Sequence, residues 1–258
     1  RDLHLSIRRQ RQMCIRDSGS NLVAVGDRAL TANTTGTNNT GVGVQAGSNT
    51  TTGSSNTSVG MQALFNNTTA SNNTAVGKDC LRTNTTGAEN TALGMSALYG
   101  NTTGDYNTAV GRNALNSNTT ADKNTAVGYG ALAANTTGTQ NTAVGHAALD
   151  TNTTGDRNTA VGEQSLQANT TGEHNTAMGF AALYYQTTGN RNTGVGYYAL
   201  LNNTTANDNT AVGYNSLLTN STGASNVAVG VYALDANTTA SNNTAIGVNA
   251  LGANTTGA

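Results

Sequence analysis

From residue 22 onward one short pattern returns every 17 residues, in fourteen units starting at 22, 39, 56 and so on to 243. A fixed short period restricts the fold severely. Each unit is too small to enclose a core, so it must bury its inner face by stacking on its neighbours, and the stack is a solenoid. The consensus reads N-T-A-V-G-x-x-A-L-x-x-N-T-T-G-x-x, as in Asn124-Thr125-Ala126-Val127-Gly128 through Asn135-Thr136-Thr137-Gly138. Because the units are copies, each position can be judged against its sisters.

The fifth position is glycine in every unit, from Gly26 to Gly247, and the fourth is always Val, Leu, Met or Ile. The eighth is Ala, Ser or Cys, the ninth is Leu except at Gly47, and every charge of the array falls at positions 6, 7, 10, 16 or 17. Apolar constancy and charged variability separate inside from outside. Positions 4, 8 and 9 are expected to face in and the variable positions to face water. The run Thr-Ala-Val alternates, placing positions 2 and 4 on one face and position 3 on the other. The glycine after it predicts a strand that stops at a tight corner, as at Gly77, Gly94, Gly111, Gly128, Gly145 and Gly162. Asn at positions 1 and 12 should form side-chain amide ladders from coil to coil. A second extended segment is expected over the Thr-Thr pair. Positions 6–11 suit a helical turn as well as a strand. The fold expected is all-β: a parallel β-solenoid, or β-roll, of fourteen 17-residue coils, with or without one short helical turn per coil.

Composition narrows the function. Only 10% of residues are charged and 4% aromatic, with 31 Gly and neither Pro nor Trp, so an ordinary enzyme core is hard to build. A formal net charge of −1 gives no electrostatic case for nucleic acid, and no apolar run approaches membrane-spanning length, so neither nucleic acid nor membrane contact is expected of this segment. So little apolar area per coil favours burying a further face between chains, most easily where position 3 is small.

Residues 1–18 lack the repeat's texture. A common transposase-based sequencing-library adapter, translated in frame, gives Arg-Arg-Gln-Arg-Gln-Met-Cys-Ile-Arg-Asp, which is Arg8 through Asp17 without a mismatch. Upstream adapter sequence gives Arg-Asp-Leu-His, matching Arg1 to His4. We therefore assign 1–18 to a translated adapter scar and 19–258 to the repeat array, expected to be truncated at both ends. Without the scar the array holds seven basic and eleven acidic residues, a net −4.

The Asn-Thr-Ala-Val-Gly-x-x-Ala block with its later Thr-Gly resembles the head repeats of trimeric autotransporter adhesins, the YadA-like family. It is also similar to Asn-Thr-Ala-Val-Gly arrays in the shafts of bacterial surface proteins and phage tail fibres. The resemblance covers residues 22–258. It implies a parallel β-roll packed as a homotrimer, extracellular or attached to the outer membrane, that presents a surface to a host glycan or protein. The unit here is longer than the adhesin-head unit, with the insertion around Leu-x-x-Asn.

Catalytic and cofactor chemistry finds little purchase. His146 and His174 occupy different repeat positions, and no acidic or Cys partner stands at ligand spacing, so no metal site is expected. Cys80 takes a small core position. Gly41 to Ala46 and Gly194 to Ala199 match G-x-G-x-x-A, but both are the repeat's own corner with Gly at position 3. No nucleophile, base and orienter can be assembled, and neither enzymatic activity nor a cofactor is expected.

Aromatics concentrate late. Phe180, Tyr197 and Tyr214 hold the sixth position in consecutive units, so they should form a column spaced about 4.8 Å. That column either contacts sugar rings of a host glycan, or lies against a neighbouring chain, or merely tolerates bulk, since Val44, Met61 and Met95 stand there too. The function expected is the shaft or head of an extracellular trimeric adhesin. The close alternative is a phage or prophage tail-fibre shaft on the virion. The distant one is an ice-binding solenoid, for which position 14 supplies an unbroken Thr column.

Overall fold

The computed structural model describes residues 21–257; residues 1–18, assigned above to the adapter, lie outside them. The chain is an all-β parallel solenoid of fourteen three-residue strands, one per repeat, and no helix occurs among the described residues. Two compact units divide it, one ending at Lys123 and one beginning at Asn124.

In the first unit lie β1 (Val23–Val25), β2 (Thr40–Val42), β3 (Thr57–Val59), β4 (Thr74–Val76), β5 (Thr91–Leu93) and β6 (Thr108–Val110). Each pairs in parallel with the next, position on position, as Thr57 with Thr74 and Val59 with Val76. The second unit holds β7 (Thr125–Val127), β8 (Thr142–Val144), β9 (Thr159–Val161), β10 (Thr176–Met178), β11 (Thr193–Val195), β12 (Thr210–Val212), β13 (Val227–Val229) and β14 (Thr244–Ile246). The same in-register pairing runs through it. A residue's neighbour is therefore its equivalent 17 positions away, which turns every sequence column into a spatial column.

The strand alternates as expected but with its faces exchanged. Position 3 points inward: Ala75, Ala92, Ala109, Ala126, Ala143 and Ala160 are all fully buried. Position 4 points outward, with Val127 and Val144 each 37% exposed and Met178 44%. Available space decides this. The inner face packs on the Leu of position 9, and at Gly41 an added Cβ would already lie 2.9 Å from the Leu30 side chain. Only Ala, Gly or Ser fits there. The leucines supply the bulk of the core, Leu64, Leu98, Leu149 and Leu183 among those fully buried, together with the small residues of position 8.

Positions 6–11 are neither helix nor strand. Two residues of the segment take left-handed backbone, position 7 (Gln164 φ 57, Tyr198 φ 56) and the Leu of position 9 (φ 49 to 55). A helix would direct its donors within the segment, whereas these must reach adjoining coils. Gln164 N donates back to His146 O at 2.9 Å, and Leu166 N donates forward to Ala182 O at 2.9 Å. Left-handed backbone costs a leucine about 1–2 kcal/mol. Complete burial of the side chain and a made hydrogen bond offset it.

The Thr-Thr pair is a bend and not a strand. In coil 1 the N–H groups of Thr34, Thr35 and Gly36 all donate to Thr51 O, at 2.9, 3.3 and 3.4 Å. Thr34 Oγ1 donates to the same carbonyl at 3.0 Å. Three converging donors need a curled backbone, and the hydroxyl column adds a fourth bond that explains why position 13 is Thr, or Ser at Ser221.

The side-chain amide ladder that the repeat predicts forms at position 12, while at position 1 the rungs run chiefly from backbone to side chain. At position 1 the backbone N–H donates to the Asn Oδ1 of the preceding coil, as Asn56 N to Asn39 Oδ1 and Asn158 N to Asn141 Oδ1, both at 2.9 Å. Its Nδ2 donates across the coil to the position-15 carbonyl, Asn158 to Gly172 at 2.8 Å, and so fastens the coil's two ends. At position 12 the Nδ2 bonds both the local position-15 carbonyl and the Asn below, as Asn101 to Gly104 O at 3.0 Å and to Asn84 Oδ1 at 2.8 Å. These amides are fully buried, so the interior is an alloy of Ala, Leu and paired Asn.

Candidate functional site

The sixth position follows the corner glycine, whose backbone fixes where that side chain emerges. All fourteen corner glycines have φ between 125 and 139, a region open only to glycine. An added Cβ at Gly77 or Gly145 would come within 2.6 or 2.5 Å of the next corner's carbonyl oxygen. The corners thus stack backbone on backbone and leave the position-6 side chains in tight register.

In the second unit that column runs Tyr129, His146, Glu163, Phe180, Tyr197, Tyr214, Val231 and Val248. Phe180 and Tyr197 stack with centroids 5.2 Å apart and planes 16° from parallel; Tyr197 and Tyr214 follow at 5.5 Å and 13°. The three residues expected to form a column are therefore brought together. Tyr197 has a ring on each face, so a ligand meets the edges and hydroxyls of the column. The Tyr197 phenol is held above its ordinary range, first by its hydrogen bond with Tyr198 and then by burial. Tyr214 does the same to Tyr232, whose ring stands edge-on at 5.4 Å.

Beside the column lies an open pocket of about 160 Å³ bordered by Phe180, Tyr184, Tyr185 and Tyr198, with Gln164, Ala181 and Leu201. Ala181 creates it. At position 7 it stands between Gln164 and Tyr198 in the flanking coils, and its short side chain opens a notch between two long ones. The crowding of tyrosines was visible in the sequence, but the notch was not. Its signal was an alanine set between the longer Gln164 and Tyr198 in a column that mixes small and large residues.

The histidines have neighbours that chain spacing conceals. His146 Nδ1 lies 3.5 Å from Glu163 Oε1, and His174 lies 3.8 Å from Glu173 and 3.3 Å from the Arg157 guanidinium. Glu163 and Arg157 are one repeat from their histidines, distant in sequence and adjacent in a solenoid. No group of three or more His, Cys, Asp or Glu side chains is placed to hold a metal among the described residues. Gly41–Val42 and Gly194–Val195 belong to strands and are followed by turns, where a dinucleotide fingerprint needs a helix. Cys80 is a buried free thiol whose pKa burial pushes up to about 12.

Fold and surface together define a parallel β-solenoid repeat protein. Compared with protein-family models, with curated proteins and with solved structures, the chain finds no match in any of the three.

Proposed function

We propose that this array is a non-catalytic structural element of an extracellular fibre, the shaft or head of a trimeric surface adhesin of the YadA-like kind. One observation carries the reading. Position 4 faces outward, yet in all fourteen repeats it is Val, Leu, Met or Ile and never charged or polar. Its outward companion at position 2 is Thr or Val. A sheet face exposed to water for its own sake would vary, as positions 6, 7, 16 and 17 do. An apolar column held constant on the outside is what a surface covered by identical chains requires. With three copies, each would lay its Thr–Val face against the others and leave the aromatic column for contact with a host glycan or protein.

Reading the DNA beyond both ends in frame tests the setting. Heptad repeats followed by anchor strands support the adhesin. A terminal self-cleaving chaperone domain would instead make the array a tail-fibre shaft.

The same face gives ice binding one specific support. Thr and Val at positions 2 and 4 form two uncharged ranks on one side of a regular sheet, whereas the position-14 column alone is a single rank. Thermal hysteresis of the purified chain decides it, and its absence removes the idea.

A further inference from the structure

The pocket beside the column has walls rather than a floor. Phe180 and Tyr198 meet at 53° with centroids 5.6 Å apart, and Tyr184 stands edge-on to Tyr185 at 82° and 4.6 Å. A flat ligand wants one open ring face, while inclined rings on several sides suit a rounded group. None of the lining residues is charged, and Gln164 supplies their single carboxamide. A sugar's many hydroxyls would outnumber the polar side-chain groups there, the Gln164 carboxamide and the phenol hydroxyls of Tyr184, Tyr185 and Tyr198.

Charge around the pocket selects the sign of its guest. The five repeats from 158 to 242 carry Glu163, Glu173, Asp208 and Asp235 against one cation, Arg191. That arginine is taken: its Nε and Nη2 bond both carboxylate oxygens of Asp208 at 2.7 and 3.0 Å. An anion is therefore disfavoured and a cation is not opposed. A primary ammonium is strongly hydrated and would lose that hydration among four rings, whereas an alkylated ammonium is weakly hydrated and is attracted by ring quadrupoles.

We propose that the pocket bordered by Phe180, Tyr184, Tyr185 and Tyr198 binds a quaternary ammonium group of the trimethylammonium type. This goes beyond the fibre reading, and either can fail while the other stands.

Choline chloride titrated into the full chain by calorimetry tests it, beside its neutral carbon isostere 3,3-dimethylbutan-1-ol and beside glucose. The expected result is saturable choline binding about tenfold or more tighter than the isostere, with no saturation by glucose. Ala181→Gln fills the notch with a residue that Gln45, Gln62 and Gln164 already place at position 7, so the coil is expected to keep its circular dichroism and lose choline. Equal binding of choline and isostere, preference for glucose, choline binding that survives Ala181→Gln, or no saturable binding at all would each overturn the proposal.

Discussion

Asn169 Oδ1 is a buried acceptor without a donor because Gln186 occupies the next rung of the position-12 ladder. In the preceding rung Asn169 Nδ2 donates to Asn152 Oδ1 at 2.8 Å, as the ladder demands. The extra methylene of Gln186 displaces its carboxamide, which donates to Gly189 O at 2.8 Å and accepts from Asn192 and Asn203 at 3.0 and 2.9 Å. In that position the Gln186 amide makes no bond to Asn169 Oδ1. Gln186→Asn restores the rung and is expected to stabilise the chain by about 1 kcal/mol, measured by denaturant unfolding. Asn101→Ala does the reverse. It takes from Asn84 Oδ1 its Asn101 donor and from Asn118 Nδ2 one of its acceptors, and should cost roughly 3 kcal/mol.

Two glycines in successive repeats make opposite predictions. Gly145 has φ 139, and an added Cβ would lie 2.5 Å from Gly162 O, so Gly145→Ala should cost on the order of 3 kcal/mol. Gly130 at position 7 has φ 66 and meets nothing closer than Asp150 Oδ1 at 3.8 Å. Asn113, Asn215 and Asn249 adopt that conformation in sister coils, so Gly130→Asn should change stability by less than about 0.5 kcal/mol. Equal effects in melting experiments would remove the stacked-corner argument.

The sense of the strand is tested next door. Ala143 is fully buried and Val144 is 37% exposed. Ala143→Val overpacks the Leu layer and should cost about 1–3 kcal/mol. Val144→Leu, on the outward face where Leu93 already stands in a sister repeat, should stay within about 0.5 kcal/mol. A reversed order of the two melting temperatures contradicts the inward assignment of position 3.

Cys80 supplies a chemical test. Burial raises its thiol above the ordinary 9.0, so its stability contribution is complete below pH 9.0 and is lost as pH climbs toward about 12. In a Cys14→Ser background, iodoacetamide at pH 8 should leave the native chain unmodified and alkylate it only with denaturant. Rapid native alkylation would place Cys80 at the surface.

Much of this fold is legible in the sequence because repetition turns columns into contacts. The Asn rungs, the corner glycines and the Phe180–Tyr197–Tyr214 stack all follow from residues recurring at one register. The face of Val127 does not follow, because hydrophobicity ranks Val above Ala and a strand of three residues offers only one alternation. The better signal was size. Position 3 accepts only Ala, Gly or Ser, as a confined site does, while position 4 accepts Val, Leu, Met and Ile. The pattern of positions 6–11 was hidden for another reason: leucine in left-handed backbone runs against its intrinsic preference, and only contacts between coils compensate it.

Sedimentation equilibrium of the purified chain tests the central claim most directly. With the Thr–Val faces covered by identical chains, a species of three times the 26.1 kDa chain mass is expected. Val144→Lys with Val161→Lys should return it to the single-chain mass with its circular dichroism intact. A single 26.1 kDa species at every concentration for the chain without the lysines would contradict the account.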